Sequence, residues 1–212
     1  MTDPTKTLIA ALLDRSGSMS QSKEATEDGW RELIEEQRGN PGRCQVTLAQ
    51  FDTGYEVLYP PTDIDAVPDF TVEPGGMTAL LDAAGRFITE VGQQLSALPE
   101  HERPGQVVCL IMTDGMENAS QQWNWDDVQR LITQQREVYG WEFIFLGANI
   151  DAVGVGRRMG VDARFAMTYN DKDYGTNSLA YKLTTAVISD GRAGGFFSAG
   201  FTDEDRQAAM GE

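Results

Sequence analysis

Histidine and cysteine are nearly missing from these 212 residues: His101 is the only histidine, and Cys44 and Cys109 are the only cysteines. With one histidine, neither a Ser/His/Asp nor a Cys/His catalytic arrangement has a strong candidate. His101 itself sits in PEHERPG, which reads as an exposed turn between Pro99 and Pro104. The two cysteines share no CxxC or Cys/His ligand spacing and read as buried strand residues in a reducing compartment. Basic residues are scarce as well. Seventeen Lys and Arg stand against thirty-three Asp and Glu, a formal charge of −16, which repels phosphates and argues against nucleic acid and anionic membrane as partners. No apolar run approaches the roughly 20 residues of a membrane span, and Leu8 to Leu13 is too short and too poorly preceded by basic residues for a signal peptide. The expected location is cytoplasmic, or virion-associated in a particle assembled there.

What is present is an alternation of short apolar runs and helical stripes. Thr7 to Leu13, Gln45 to Phe51, Val107 to Met112 and Glu142 to Leu146 read as doubly buried strands of a parallel sheet. Tyr55 to Tyr59 follows the second run at hairpin spacing, which predicts one antiparallel edge strand. Between the runs the period becomes helical. Trp30, Leu33 and Ile34 share one face, Leu80, Leu81, Ala84, Phe87, Ile88, Val91 and Leu95 a second, and Trp125, Val128, Leu131, Ile132 and Tyr139 a third, with Asn124 placed as its cap. A helix near Val153 to Met159, a strand near Arg164 to Met167 and a helix near Ser178 to Ser189 complete the order. This order predicts a doubly wound α/β domain with a mostly parallel six-stranded sheet and helices on both faces. It covers residues 1–190. Residues 191–212 form a glycine-rich, then acidic extension that reads as ordered or mobile.

In such sheets the functional crevice lies at the carboxyl ends of the strands. Three loops there carry matching chemistry: DRSGS at Asp14 to Ser18, GGMTALLD at Gly75 to Asp82 and TDGMEN at Thr113 to Asn118. The chain here resembles the von Willebrand factor A (vWA) domains, which carry a metal-ion-dependent adhesion site built from Asp-x-Ser-x-Ser, a Thr in a later loop and an Asp after the fourth strand. Asp14, Ser16 and Ser18 match the first element, Thr78 the second and Asp114 the third. The wording of the loops is most similar to single-domain bacterial and bacteriophage members.

The resemblance implies the strand order 3-2-1-4-5-6. It implies Ser16 and Ser18 as direct ligands, Thr78 as a direct ligand when a partner is bound, and Asp14 and Asp114 as ligands acting directly or through water. The ion implied is Mg²⁺, with Mn²⁺ or Ca²⁺ possible, and the sixth donor is an Asp or Glu carboxylate of a partner protein. Donor chemistry agrees, because hydroxyls and carboxylates are hard oxygen ligands and neutral hydroxyls leave the ion much of its positive charge. A lone Asp-x-Ser-x-Ser would more often be a capped loop before a helix; three loops in order argue for the ion. The function expected is therefore a divalent-metal-dependent protein-binding module, not an enzyme. Two alternatives stand beside it: an accessory subunit working with a ring-shaped ATPase in metal insertion or complex remodelling, and a metal-dependent hydrolase.

Other constellations are weaker. GVGRRMG at Gly154 to Gly160 has the wrong spacing for a dinucleotide loop and reads as a helix with small packing residues. Ser16 stands where a phosphatase of the Asp-x-Asp type needs its second acid. Asp82 reads as orienting Thr78 or as favouring a helix N-terminus, and Glu117 and Asn118 as rim residues that a partner would touch or as a solvated loop. Trp125 reads as part of a helix face and Trp123 as an exposed contact near the rim or, as for Trp125, a packing residue. The strand order separates Cys44 and Cys109 by two strand spacings, roughly 9 to 10 Å, too far for a disulfide.

Overall fold

The computed structural model describes residues 1–212. Its strands are β1 (Asp3–Asp14), β2 (Arg43–Phe51), β3 (Tyr55–Asp63), β4 (Pro104–Thr113), β5 (Glu142–Ala148) and β6 (Ala166–Tyr169). Its helices are α1 (Lys23–Gly39), α2 (Leu80–Ala97), α3 (Trp125–Tyr139), α4 (Ala152–Met159), α5 (Tyr174–Gly194) and α6 (Asp203–Met210). The strands form one sheet in the order β3-β2-β1-β4-β5-β6. All neighbours are parallel except β2 and β3. Chain order reverses direction across the sheet at β1, between β2 and β4, and that is the topological switch point of a doubly wound fold.

The composition of β1 follows from this position. Every residue from Thr7 to Asp14 is buried, because neighbouring strands flank it on both sides and helices cover both faces. α1 packs on α5, while α2 and α4 pack on α3. A strand with no solvent face has no reason to alternate, and LIAALL does not. Cys44 on β2 is level with Thr7, and Cys109 on β4 with Ala10, so β1 runs between the two. Both are free, buried thiols, and burial pushes Cys44 up to about 11.

The structure departs from the sequence pattern mainly at element ends. β3 continues through Pro60 and Pro61, which an edge strand tolerates because its outer N–H groups need no partner. β6 starts two residues beyond Arg164 because the Asp162 side chain accepts from the Arg164 N–H and holds a turn of 3-10 helix over Ala163–Phe165. α5 is longer than the Ser178–Ser189 stripe: Asp173 caps its start, and Gly195 closes it in the left-handed conformation. Tyr139 leaves the buried stripe of α3 and is 61% exposed, since it is the last residue before the left-handed Gly140 turns the chain away. Beyond Gly195, α6 is capped reciprocally by Thr202 and Asp205. It lies beside the β6 edge, where the Ala209 carbonyl accepts from the Asn170 N–H and Arg206 donates to the carbonyls of Ala163, Ala166 and Phe201. No helix is long and apolar enough to cross a membrane.

α1 and α5 approach closely because Gly29 has no side chain: a Cβ there would run into the ring of Tyr181, which is itself 1% exposed. The ring is fully walled in and cannot move aside cheaply. Gly29→Ala is therefore expected to destabilise the domain by about 1–3 kcal/mol, read as a lower urea midpoint at unchanged m-value.

Candidate functional site

β1 and β4 end side by side, so the loops that follow Asp14 and Thr113 are held together before any side chain is considered. Asp14 is the last residue of β1 and has no exposed surface. Its Oδ2 accepts from the Thr113 hydroxyl at 2.5 Å and its Oδ1 from the Ser16 N–H at 2.6 Å. Asp114 is half-buried next to it, and its Oδ1 accepts from the Ser18 hydroxyl at 2.7 Å and the Ser16 hydroxyl at 3.5 Å. The two serine hydroxyls are 3.2 Å apart. Four of the five residues singled out from sequence thus form one hydrogen-bonded cluster.

Thr78 reaches the same place by a different route. Its hydroxyl lies against Gly115, where an added Cβ would come within 2.7 Å of it. The loop carrying it is tied down on both sides. Gly17 N–H donates to the Gly76 carbonyl at 3.3 Å, Gly75 N–H to the Arg15 carbonyl at 2.9 Å, and Ala79 N–H to the Asp52 carbonyl at 3.0 Å. Gly76 takes a positive φ of 68° with Thr53 packed against it, and the Thr53 hydroxyl accepts from the Met77 N–H at 2.9 Å. A side chain at position 76 would be strained and would clash. The turn between β2 and β3 thereby shapes the threonine loop.

Glu117 is half-buried and Asn118 exposed, and both are tied into the neighbouring loop. Asn118 Oδ1 accepts from the Thr78 N–H, and its own N–H donates to the Thr78 carbonyl, both at 3.0 Å. The Glu117 carboxylate accepts from the N–H groups of Leu81, Ala119 and Ser120 and from the Ser120 hydroxyl. Asp82 does not orient the threonine: it accepts from the N–H groups of Gln121, Gln122 and Trp123, and its own N–H donates to Ser120. The first turn of α2 and the loop after β4 therefore satisfy each other's free N–H groups, one carboxylate from each side. Trp123 lies across Gly85 of α2 and completes the seam. In sequence Asp82 looked like a helix-start residue and Glu117 like a loop residue; only the facing N–H groups reveal their task.

Burial dominates the electrostatics. It raises the Asp14 carboxyl above the usual range, opposed by the hydrogen bonds from Thr113 and Ser16, with the Asp52 charge raising it further. Burial pushes Asp114 up to about 6, opposed by the Ser18 hydrogen bond and reinforced by the charges of Asp14 and Asp171. No basic side chain compensates: Arg15, next to Asp14 in the chain, turns to Asp52 at 3.2 Å and Glu56 at 2.9 Å. No cluster of three or more His, Cys, Asp or Glu side chains able to hold a metal is present. Here two carboxylates stand with the hydroxyls of Ser16 and Ser18, and the Thr78 hydroxyl lies against the neighbouring Gly115, an all-oxygen donor set that suits a hard divalent cation. The remaining features singled out from sequence lie elsewhere. Gly156 of GVGRRMG packs on Phe145 and Ala166, and His101 is exposed on a turn.

The architecture and the crevice define a vWA-type α/β fold. No family model and no curated protein sequence matches the chain, but solved structures share its fold. Proximal thread matrix protein 1 from the mussel byssus superposes with a TM-score of 0.62 at 13% identity, over 89% of this chain and 48% of that one. The von Willebrand factor type A protein from Catenulispora acidiphila gives 0.61 at 17% identity, over 88% and 43%. The vWF domain of the type V pili tip protein Mfa5 from Porphyromonas gingivalis gives 0.61 at 9% identity, over 94% and 98%. The chain spans less than half the length of the first two.

Two measurements test this geometry without any metal. In chelator-treated protein the Asp114 carboxyl carbon should titrate with a midpoint near 6 by NMR. A carboxyl raised in the folded state binds a proton on folding, so its stabilising contribution is present at low pH and is lost as pH rises through 6. Between pH 5 and 7 the wild type should lose thermal stability relative to Asp114→Asn. Separately, Glu117→Ala strands three N–H groups and should cost about 1–3 kcal/mol, with hydrogen exchange accelerated at Leu81 and Ser120 but not in β1.

Proposed function

We propose that this chain is a divalent-metal-dependent protein-binding module. A cation would be held by Ser16, Ser18 and Thr78 hydroxyls, with Asp14 and Asp114 as carboxylate donors directly or through water, and Mg²⁺ is the ion favoured. The observation that carries the reading is the convergence of these five oxygen-bearing side chains from three loops, around two carboxylates that no basic side chain neutralises. A bound cation would supply Lewis acidity toward an external anion. The chain's own residues do the rest. Thr113 and the Ser16 N–H hold Asp14 in place, and the Asn118–Thr78 pair sets the threonine at the depth of Gly115. Because three of the five donors are neutral, the ion keeps attraction for a further carboxylate, which a partner protein's Asp or Glu would provide.

Binding rather than turnover suits the donor set: the site has no histidine, and hydroxyl-rich ligation is built for capturing an anion. The fold is shared with a pilus tip protein and a byssal matrix protein, which is compatible with an interaction module and carries no more than that.

Isothermal titration should find one Mg²⁺ or Mn²⁺ site per chain. Ser18→Ala should weaken it by tenfold or more, and Asp14→Ala should abolish it, with circular dichroism unchanged for the serine variant. Equal metal binding by wild type and Ser18→Ala would sink the assignment. A pull-down in Mg²⁺ against EDTA then tests the partner: retention indifferent to the chelator contradicts the mechanism.

A further inference from the structure

Two large apolar side chains stand exposed on the loops that carry the cluster, and both are methionines. Met77, directly before Thr78, is 54% exposed, and Met116, two residues after Asp114, is 71% exposed. A third methionine nearby, Met19, is buried at 3%, so exposure is not a general property of methionine at this end. The two exposed thioethers belong to loops in mutual contact: the Thr78 hydroxyl lies against Gly115, and Thr78 and Asn118 exchange two hydrogen bonds at 3.0 Å. Met77 and Met116 therefore adjoin Thr78 and Asp114 in the chain, one on each of two loops that touch. Their backbones are held, Met77 by the Thr53 hydroxyl and Met116 between Gly115 and the anchored Glu117, while their side chains are free to adapt.

Charge gives them a task. A chain of net charge −16 repels an approaching carboxylate at long range, so attraction has to come from the ion and from contacts made at close quarters. Polarizable, unbranched thioethers offer apolar surface of adaptable shape. We propose that Met77 and Met116 form an apolar clamp that selects a partner carboxylate carried next to an aliphatic side chain, rather than an acid in a wholly polar segment. This rests on the metal-site reading above and specifies its ligand.

The experiment compares two probes of nearly equal acidity, acetate and 4-methylpentanoate, titrated into Mg²⁺-loaded protein carrying ¹³C-methyl methionine. The expected result is metal-dependent binding of both. 4-Methylpentanoate should bind about tenfold tighter, as a buried methylene changes affinity by about fourfold, and should shift the Met77 and Met116 methyl resonances. In Met77→Ser/Met116→Ser the ratio of the two dissociation constants should fall to within twofold. Equal affinities in the wild type, or a preference that survives the double substitution, would overturn the clamp while leaving the metal site standing. If neither probe shows metal dependence, the metal-site reading itself fails and the clamp with it.

Discussion

A carboxylate with no exposed surface, Asp14, terminates the central strand at the point where the winding of the sheet changes direction. Burying an acid there is unfavourable unless its oxygens are satisfied. Each oxygen has one partner within the protein, Thr113 from the neighbouring strand and the Ser16 N–H from the loop that follows. These two bonds fix where the first loop turns and how it meets the third. The serines are presented toward Asp114 as a consequence, and the cluster inherits its shape from the edge of the sheet rather than from the flexibility of its loops.

The second level of organisation is the seam between the start of α2 and the loop after β4. Helix starts and irregular loops both leave N–H groups without partners, and here each supplies the acceptors the other needs. Glu117 serves the helix, Asp82 serves the loop, and the Asn118–Thr78 exchange links the backbones directly. The threonine and the aspartate are thereby carried on one body, so displacement of either loop would drag the other. The β2–β3 turn closes the arrangement from the far side through Thr53 and Asp52.

Much of this was legible in the residues. A parallel sheet with an antiparallel edge follows from apolar runs without alternation and one hairpin spacing, and Cys44 and Cys109 fall on strands either side of β1 as that order requires. Asp14, Ser16, Ser18 and Asp114 were visible as polar residues at strand ends, and the structure brings them together. The bracing role of Glu117 and Asn118 was not visible, because a loop of small and polar residues looks the same whether its acceptors face water or another loop's N–H groups. Tyr139 falls on the apolar period of α3 yet is exposed, because periodicity does not register the glycine turn that ends the stripe.

The local sequence determined the order of elements, the burial of β1 and the donor types at its end. These depend on near neighbours along the chain: hydrophobic period, turn residues and caps. The tertiary structure alone decided which carboxylates are neutralised and which are not. Arg15 stands beside Asp14 in the chain yet pairs with Asp52 and Glu56, leaving Asp14 and Asp114 without a positive charge. It also decided that Thr113 holds Asp14, that Asp82 serves a loop 39 residues away, and that Met77 and Met116 face solvent while Met19 does not. The physical reason is common to all of them: charge compensation and hydrogen-bond satisfaction are settled by distance in space, and residues far apart in sequence become neighbours only when the strand ends meet.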